Sequence, residues 1–293
     1  MKIAQLILVF LFFLGVGLIV FANNKPPHDI QEPLIMGVFP RFDPANSMRL
    51  YTPITKHLSK KLNRRVVLVI PGDFYDFWEQ ARNNKFDIVH YNQYHYLRTH
   101  KEQGYEVIVM NEEQGKGTIA ASIVVRSDSS IKSLADLRGK KILFGGNEHA
   151  MVGYIWVTYL LRQAGLSPAD YQYRFEVNPN AAVVAAYYGL WDAEAAGAGD
   201  LVLDLPVIKK QINTKGMRHL AIGEQAAHLP WAVKGSMDND LKVKIQELLL
   251  GLKHTEEGKK ILKNAQLTGF ARASDQDYDF HRKILKETIG EVY

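Results

Sequence analysis

The stretch "KKILFGGNEHAMVGYIWVTYLLRQAG", Lys140 to Gly165, decides the fold class of this chain. An apolar run at 140–144 predicts a strand, and the apolar spacing over 154–164 predicts a helix. At a helix that follows a glycine turn, free N–H groups and the positive end of the helix dipole converge, which is typical of an anion site. The positions that lead into this helix offer no side-chain hydroxyl: they are Ala150, Met151 and Val152.

The same alternation of strand and helix runs through the rest of the chain. Apolar runs of strand length alternate with segments that have one apolar helical face, such as Leu50, Ile54 and Leu58 in the second element. Strands in this pattern form parallel sheets with helices on their faces, so we predict an α/β protein. The further strands are predicted at 34–39, 64–71, 86–91, 120–126, 171–177 and 217–224.

Composition excludes several classes of protein. The 293 residues include 36 Lys and Arg against 31 Asp and Glu, a formal net charge of +5, and 47% are hydrophobic. These values are ordinary for a globular protein of one large domain or two lobes. No block of basic residues indicates a nucleic-acid partner. The chain contains no cysteine, so it has neither a disulfide nor a cysteine for a lipoprotein anchor.

The N-terminal segment predicts export. The sequence "MKIAQLILVFLFFLGVGLIVFANN" has one Lys followed by an apolar run over 3–22. Val20 and Ala22 suit a signal-peptidase site after Ala22, but the run is also long enough to span a bilayer. We therefore predict that 1–22 is a signal peptide or a membrane anchor, that 23–33 is a proline-containing linker, and that the rest lies in the periplasm.

Several segments together resemble a known family. In chain order they are "GVFPRFDPA", "YTPITKHLSKKL", "FDIVHYNQYHY", "SIVVRSDSSIKSLADLRGKKILF", "GNEHAMVGY" and "AAVVAAYYGLWDAEAA". Their order is similar to that of the phosphonate- and phosphate-type periplasmic solute-binding proteins of ABC importers. The resemblance implies the type II periplasmic binding fold, in which two lobes, each a mostly parallel sheet flanked by helices, are hinged by two crossing strands.

The resemblance also implies the organisation and the partners of the chain. Lobe one would comprise 34–119 and 226–293, with the C-terminal helices packed on it, and lobe two would comprise 120–225. A small solute would bind in the cleft between them, by family default a phosphonate- or phosphate-like oxyanion. The closed protein, expected to be a monomer without a cofactor, would then be recognised by a permease of the inner membrane.

Four loops are expected to meet in the cleft, and the resemblance identifies two contact positions in them. Tyr91 matches a tyrosine that contacts ligand in the family, and Gly153 matches the glycine at the helix start. Tyr75 is one of several aromatic residues predicted to line the cleft, and Glu148, His149, Arg41 or Asn180 would orient one polar group of the ligand. The complete set of predicted ligand-binding residues is Phe39, Pro40, Arg41, Tyr75, Tyr91, Asn92, Glu148, His149, Ala150, Met151, Val152, Gly153 and Asn180.

The sequence departs from the family pattern where the ligand should bind. A run rich in Ser and Thr is replaced by Ala150, Met151 and Val152, and a His–acid pair is replaced by Pro179 and Asn180. A later polar run has become "AAG" at 195–197. Because a cleft with few polar groups suits an apolar molecule, a lipid-like or aromatic ligand is the alternative to an oxyanion.

The sequence also bears on three other functions: metal binding, catalysis and sensing. His90, His95 and His100 recur every five residues, but this spacing turns successive side chains by about 140° on a helix, so no metal site is predicted. Glu148 and His149 are a candidate acid–base pair, but neighbours on a loop need not face one point and no nucleophile motif accompanies them, so an enzyme is not predicted. If 1–22 is retained as an anchor, the protein would instead be a sensory binding module.

Overall fold

The computed structural model describes residues 31–293. The predicted signal peptide or anchor at 1–22 lies outside these residues, as does most of the predicted linker at 23–33. Between residues 31 and 293, no helix combines the length and the apolar character needed to cross a bilayer.

The described part of the chain alternates strands and helices, as predicted. Its strands are β1 (Leu34–Val38), β2 (Val66–Val69), β3 (Ile88–His90), β4 (Tyr105–Glu112), β5 (Thr118–Ile119), β6 (Ala121–Arg126), β7 (Lys141–Gly145), β8 (Gln172–Glu176), β9 (Ala195–Gly199), β10 (Met217–Ile222), β11 (Ala226–Ala227), β12 (Pro230–Lys234) and β13 (Gly269–Arg272). Its α-helices are α1 (Pro44–Leu62), α2 (Phe74–Arg82), α3 (Gln93–Gln103), α4 (Trp156–Gln163), α5 (Pro179–Tyr187), α6 (Pro206–Lys209), α7 (Asn239–Gly251), α8 (Glu256–Asn264) and α9 (Asp279–Ile289).

Two larger sheets organise these elements. A six-stranded sheet has the order β13-β4-β12-β3-β1-β2, and a five-stranded sheet has the order β10-β6-β9-β7-β8. We call the first sheet with its helices lobe one and the second with its helices lobe two. The sheets are mixed rather than mostly parallel, because β12 pairs antiparallel with β3 and β4 in lobe one and β6 pairs antiparallel with β9 and β10 in lobe two.

A separate two-stranded sheet lies where the chain passes between the lobes. In it β5 pairs antiparallel with β11, with Ile119 opposite Ala226 and Thr118 opposite Ala227. The chain enters lobe two directly after β5 and returns to lobe one directly after β11. The lobe boundaries at 119/120 and 225/226 remain predictions.

Small side chains on β9 let lobe two pack closely. The strand reads "AAGAG", and Ala195, Ala196 and Ala198 are fully buried. The apolar face of α5, with Ala182 and Val183, packs in the same cluster as Ala196 and Ala198. The loss of polar residues at 195–197 therefore changes the core of lobe two and does not remove polar groups from a cleft.

The C-terminal helix contacts both lobes, so its contacts extend beyond lobe one, where the C-terminal helices are predicted to pack. Phe280 and His281 of α9 contact the Trp156 ring of α4, with ring centroids 5.7 and 5.3 Å apart. The chain then reaches α3 of lobe one, where Tyr293 packs edge-on against Tyr94. The reason is that α9 carries an apolar face toward α4 while its terminal residues are close to α3.

Candidate functional site

The start of the helix that follows β7 presents free backbone donors. One wide π-helical turn, Met151–Ile155, precedes α4, so the helix begins three residues before the predicted start. Its first intrahelical bonds are those of Tyr154 and Ile155, whose N–H groups donate to the Ala150 carbonyl at 3.0 and 3.1 Å. The preceding N–H groups, of residues 151–153, have no acceptor among residues 31–293, as expected for the first turn of a helix.

A second helix start lies against the first. The Asn178 side chain caps α5 by accepting from the Ala181 N–H at 3.0 Å, and Pro179 occupies the first helical position. The Asn180 N–H is therefore the free donor of this turn. A Cβ on Gly145 would overlap the Pro179 backbone, and a Cβ on Gly153 would overlap the Gly145 carbonyl oxygen, so only glycine permits this contact. The positive ends of two helix dipoles consequently meet at one place.

Lobe one contributes an ion pair to the opposite wall. The Arg41 guanidinium donates to Glu113 Oε1 at 2.6 Å and to Oε2 at 3.3 Å. Asn111 also donates to Glu113 Oε1, and the Trp231 indole N–H donates to Asn111. Burial by itself would raise the pKa of the Glu113 carboxyl, but the Arg41 charge and these hydrogen bonds outweigh burial and lower the pKa to about 2. The positive charge of Arg41 is thus already balanced by Glu113 within the protein.

These groups face a cleft with mostly apolar walls. In this conformation it encloses about 100 Å³, so it suits a small molecule. Polar side chains on it are Arg41, Asn92, Gln93, Glu113, Asn178, Asn180, Asp200 and His228. Apolar side chains on it include Phe39, Phe74, Ile119, Met151, Val152, Val177, Leu201, Val202, Leu205 and Leu229.

Most of the predicted ligand-binding residues lie on this cleft. Those that the structure brings together there are Phe39, Pro40, Arg41, Asn92, Ala150, Met151, Val152, Gly153 and Asn180. Four predicted residues lie elsewhere: Tyr75, Tyr91, Glu148 and His149.

Tyr91 is a core residue, which corrects its expected position on the cleft. Its ring is fully buried and contacts Phe77 and Tyr105 edge-on, with centroids 5.6 and 5.7 Å away. The chain turns after β3, so the next residue, Asn92, faces the cleft instead. Asn92 Oδ1 accepts from the His95 N–H to cap α3, and its Nδ2 donates to the His149 carbonyl at 3.1 Å.

The other three displaced residues have separate reasons for their positions. Tyr75 is 75% exposed because Phe74 and Phe77 take the inner face of α2. Glu148 is exposed at the tip of its loop. His149 stacks on Tyr94 of lobe one, with ring centroids 5.3 Å apart, and so joins the lobes beside the cleft.

Several residues on the cleft are not among the ligand-binding residues predicted from the sequence. Glu113 and His228 flank the crossing strands, Gln93 begins α3, and Asp200 follows β9. Ligands in open α/β sheets bind beyond the carboxyl ends of strands, and that rule points to the residues after β9. No short motif marks Glu113 or His228. Within the described range 31–293, no group of three His, Cys, Asp or Glu side chains is placed to hold a metal ion.

Comparisons with known proteins agree with this architecture. The binding-protein component of an ABC phosphonate transporter from Pseudomonas aeruginosa superposes with a TM-score of 0.76 at 15% identity, covering 88% of this chain and 87% of that one. PhnD1 from Prochlorococcus marinus, solved in complex with methylphosphonate, gives a TM-score of 0.76 at 18% identity over 88% and 99% of the two chains. An alkanesulfonate-binding protein from Xanthomonas axonopodis pv. citri bound to MOPS gives 0.57 at 15% identity over 88% and 93%.

The structural matches confirm the α/β class and the two-lobed type II fold. The sequence comparison goes further, because the model of a family described as "ABC transporter, phosphonate, periplasmic substrate-binding protein" matches residues 36–278. That match spans most of the chain. The protein therefore belongs to the phosphonate-type periplasmic substrate-binding protein family of ABC transporters.

Proposed function

We propose that this protein binds a phosphonate, or a similar tetrahedral oxyanion with a short apolar substituent, in the cleft between its lobes. The observation that carries the proposal is the set of free N–H groups on residues 151–153 and 180, which two adjacent helix starts direct to one place. A desolvated oxyanion needs several donors, and backbone amides at helix starts supply them without side-chain hydroxyls.

The apolar walls indicate that the rest of the ligand is an apolar group. Met151, Val152 and Leu229 surround the donors with side chains that cannot hydrogen-bond. A phosphonate carries its organic group directly on phosphorus, so it combines an oxyanion with an apolar end. This chemistry unites the oxyanion expected of the family with the apolar ligand indicated by the missing hydroxyls.

Closure of the two lobes around the ligand prepares the protein to deliver that ligand to its permease. The family works with a small-molecule ligand and a membrane permease in the periplasm, and it is not a family of enzymes. A ligand that contacts both lobes at once favours the closed state, because only that state offers all of its contacts. We propose that the permease recognises the closed monomer. Sequencing the N-terminus of the exported protein separates cleavage after Ala22 from an anchor retained at 1–22.

Thermal unfolding with defined compounds tests the proposed ligand class. A ligand at about 100 times its dissociation constant raises the free energy of unfolding by about 2.7 kcal/mol. We expect phosphate, methylphosphonate and ethylphosphonate to raise the melting temperature, with ethylphosphonate at least as effective as phosphate. If only octanol and indole, as lipid-like and aromatic probes, raise it, the oxyanion proposal is wrong and the apolar alternative holds.

Replacing Val152 with threonine should strengthen oxyanion binding. The two side chains have the same shape, but threonine adds a hydroxyl beside the free amides of the helix start. One added hydrogen bond to a charged ligand contributes about 1.5 kcal/mol or more, so affinity for methylphosphonate should rise about tenfold or more by calorimetry. Val243→Thr on the exposed face of α7 is the matched control and should change nothing. Unchanged or weaker binding by Val152→Thr would argue against an oxyanion beside this residue.

Replacing Tyr91 with phenylalanine should leave affinity for methylphosphonate within about twofold. The Tyr91 ring lies in the core of lobe one, where its hydroxyl is close to Thr99 and Tyr105 and does not line the cleft. Removing a hydroxyl whose contacts are confined to the core should also change the free energy of unfolding by only about 1 kcal/mol. A large loss of affinity in calorimetric titration would show that the Tyr91 hydroxyl contributes to ligand binding and would contradict this prediction.

A further inference from the structure

Two buried polar groups on the lobe-one wall of the cleft have no partner. His228 Nε2 and Gln93 Oε1 are both fully buried, both residues line the cleft, and neither atom has a hydrogen-bond partner among the described residues. An unsatisfied buried polar group destabilises a protein, so each such group in a native structure calls for an explanation.

The hydrogen bonds of each side chain fix what its free atom offers. His228 Nδ1 accepts from the Leu229 N–H at 2.7 Å, so this nitrogen carries no proton and the neutral ring carries its proton on Nε2. Gln93 Nε2 donates to the Ala227 carbonyl at 3.3 Å, and since a carbonyl can only accept, the amide orientation is settled and Oε1 is the free acceptor. The two side chains therefore hold one unpaired donor, on His228, and one unpaired acceptor, on Gln93, whose Nε2 is hydrogen-bonded to the residue before His228.

The Glu113 carboxylate does not satisfy His228. Glu113 Oε1 lies 3.7 Å from His228 Nε2, beyond hydrogen-bond distance. That oxygen already accepts from Arg41 at 2.6 Å and from Asn111 at 3.3 Å. Burial is the main cause that lowers the pKa of His228, to about 4, so the ring is neutral at physiological pH and does not form an ion pair with Glu113.

We infer that His228 and Gln93 together bind a hydroxyl group on the carbon portion of the ligand, so that the preferred ligand is a hydroxyalkylphosphonate. A hydroxyl is one donor and one acceptor on a single oxygen, which matches the free donor of His228 and the free acceptor of Gln93. This inference rests on the proposed function, because it places the oxyanion on the helix starts of lobe two.

This arrangement also couples recognition to closure. The helix starts at 151–153 and 180 belong to lobe two, whereas Gln93 and His228 belong to lobe one. A ligand with an oxyanion at one end and a hydroxyl at the other contacts both lobes through hydrogen bonds. An unsubstituted alkylphosphonate leaves the two groups of lobe one unpaired, which weakens its binding.

Calorimetric titration with matched ligand pairs tests the inference on the unmodified protein. The pairs are methylphosphonate with hydroxymethylphosphonate, and ethylphosphonate with its 1-hydroxy and 2-hydroxy derivatives. At least one hydroxylated member should bind about tenfold or more tightly than its parent. Equal affinities in every pair would overturn the inference but not the proposed function. If no phosphonate binds, the proposed function fails and this inference fails with it.

Variants then assign the preference to the two residues. In Gln93→Leu and His228→Phe the affinity ratio between hydroxylated and parent ligand should fall toward one. Gln103→Leu is the matched control, since Gln103 Oε1 is also buried without a partner but lies at the far end of α3, away from the cleft, and its ratio should match that of the unmodified protein. If Gln93→Leu does not fold, Gln93→Met keeps the unbranched shape. A preference that survives in both the Gln93 and the His228 variants overturns the assignment.

Discussion

Replacing Arg41 with methionine is expected to lower the free energy of unfolding by about 3 kcal/mol at neutral pH. Glu113 is 6% exposed and loses its cationic partner in this variant. Removing one member of a buried ion pair leaves an uncompensated charge, which costs about 3–5 kcal/mol, and the remaining bond from Asn111 places the expected value at the low end. Urea unfolding monitored by tryptophan fluorescence measures the loss.

The stability lost in Arg41→Met should depend on pH in a definite direction. In the unmodified protein the pKa of Glu113 falls from 4.5 to about 2, so its contribution to stability is complete above pH 4.5 and disappears as the pH falls toward 2. Without Arg41, burial should raise the same pKa above 4.5, and the carboxyl then takes up a proton in mildly acidic solution. The stability deficit of Arg41→Met should therefore shrink between pH 7 and pH 4.

A second substitution provides the control. Glu113→Gln in the Arg41→Met background removes the unpaired charge while keeping an acceptor for Asn111, and it should recover most of the lost stability. The two single variants and the double variant form a cycle that isolates the pair. A loss below about 1 kcal/mol at pH 7, or a deficit that does not depend on pH, would contradict this account of the ion pair.

Replacing Gly145 with alanine is expected to disrupt both stability and ligand binding. The added Cβ would overlap the Pro179 nitrogen and Cα, which are backbone atoms at the start of α5 and cannot move independently. Overpacking of this kind costs about 1–3 kcal/mol. Moving the start of α5 away from residues 151–153 should also separate the amides of the two helix starts. If the ligand loses two charge-assisted hydrogen bonds, methylphosphonate affinity should fall about 100-fold or more.

Gly72→Ala is the matched control for this experiment. No atom lies near the Cβ that alanine would add at Gly72, and its backbone does not require glycine. Its stability and affinity should equal those of the unmodified protein. Full affinity in a folded Gly145→Ala protein would show that the contact between the two helix starts is unnecessary for binding.

The sequence predicts where strands and helices lie along the chain, but it does not predict which strands pair in parallel and which in antiparallel directions. The apolar periodicity around β7 and α4 predicted a strand, a glycine turn and a helix because each has a distinct local pattern. The two residues of β5 and of β11 are too few for any pattern, so the crossing could be expected only from the family. Mixed pairing in lobe one arises because the chain returns from lobe two and places β12 between β3 and β4. Local sequence patterns do not predict such long-range pairing.

The site was less predictable for the same reason. Glycines beside a strand and a helix indicate a helix start at residues 150–153, because local geometry governs a helix start, and the structure places these residues on the cleft. Tyr91 was misplaced because the turn after β3 decides which of two adjacent side chains enters the core. Glu113 and His228 are single polar residues far apart in sequence, and the pairing of β4 with β12 and of β5 with β11 brings them to one wall. A pattern of spacing cannot reveal such a pair.

Amide NMR observes oxyanion binding at the two helix starts directly, because the proposed donors are individual backbone N–H groups. Titration of the protein with methylphosphonate should move the amide resonances of Met151, Val152, Gly153 and Asn180 downfield together and saturably, as hydrogen bonds to an oxyanion form. Other amides should shift less. Saturable binding that leaves these four resonances in place, or no binding of any phosphonate, would contradict the account.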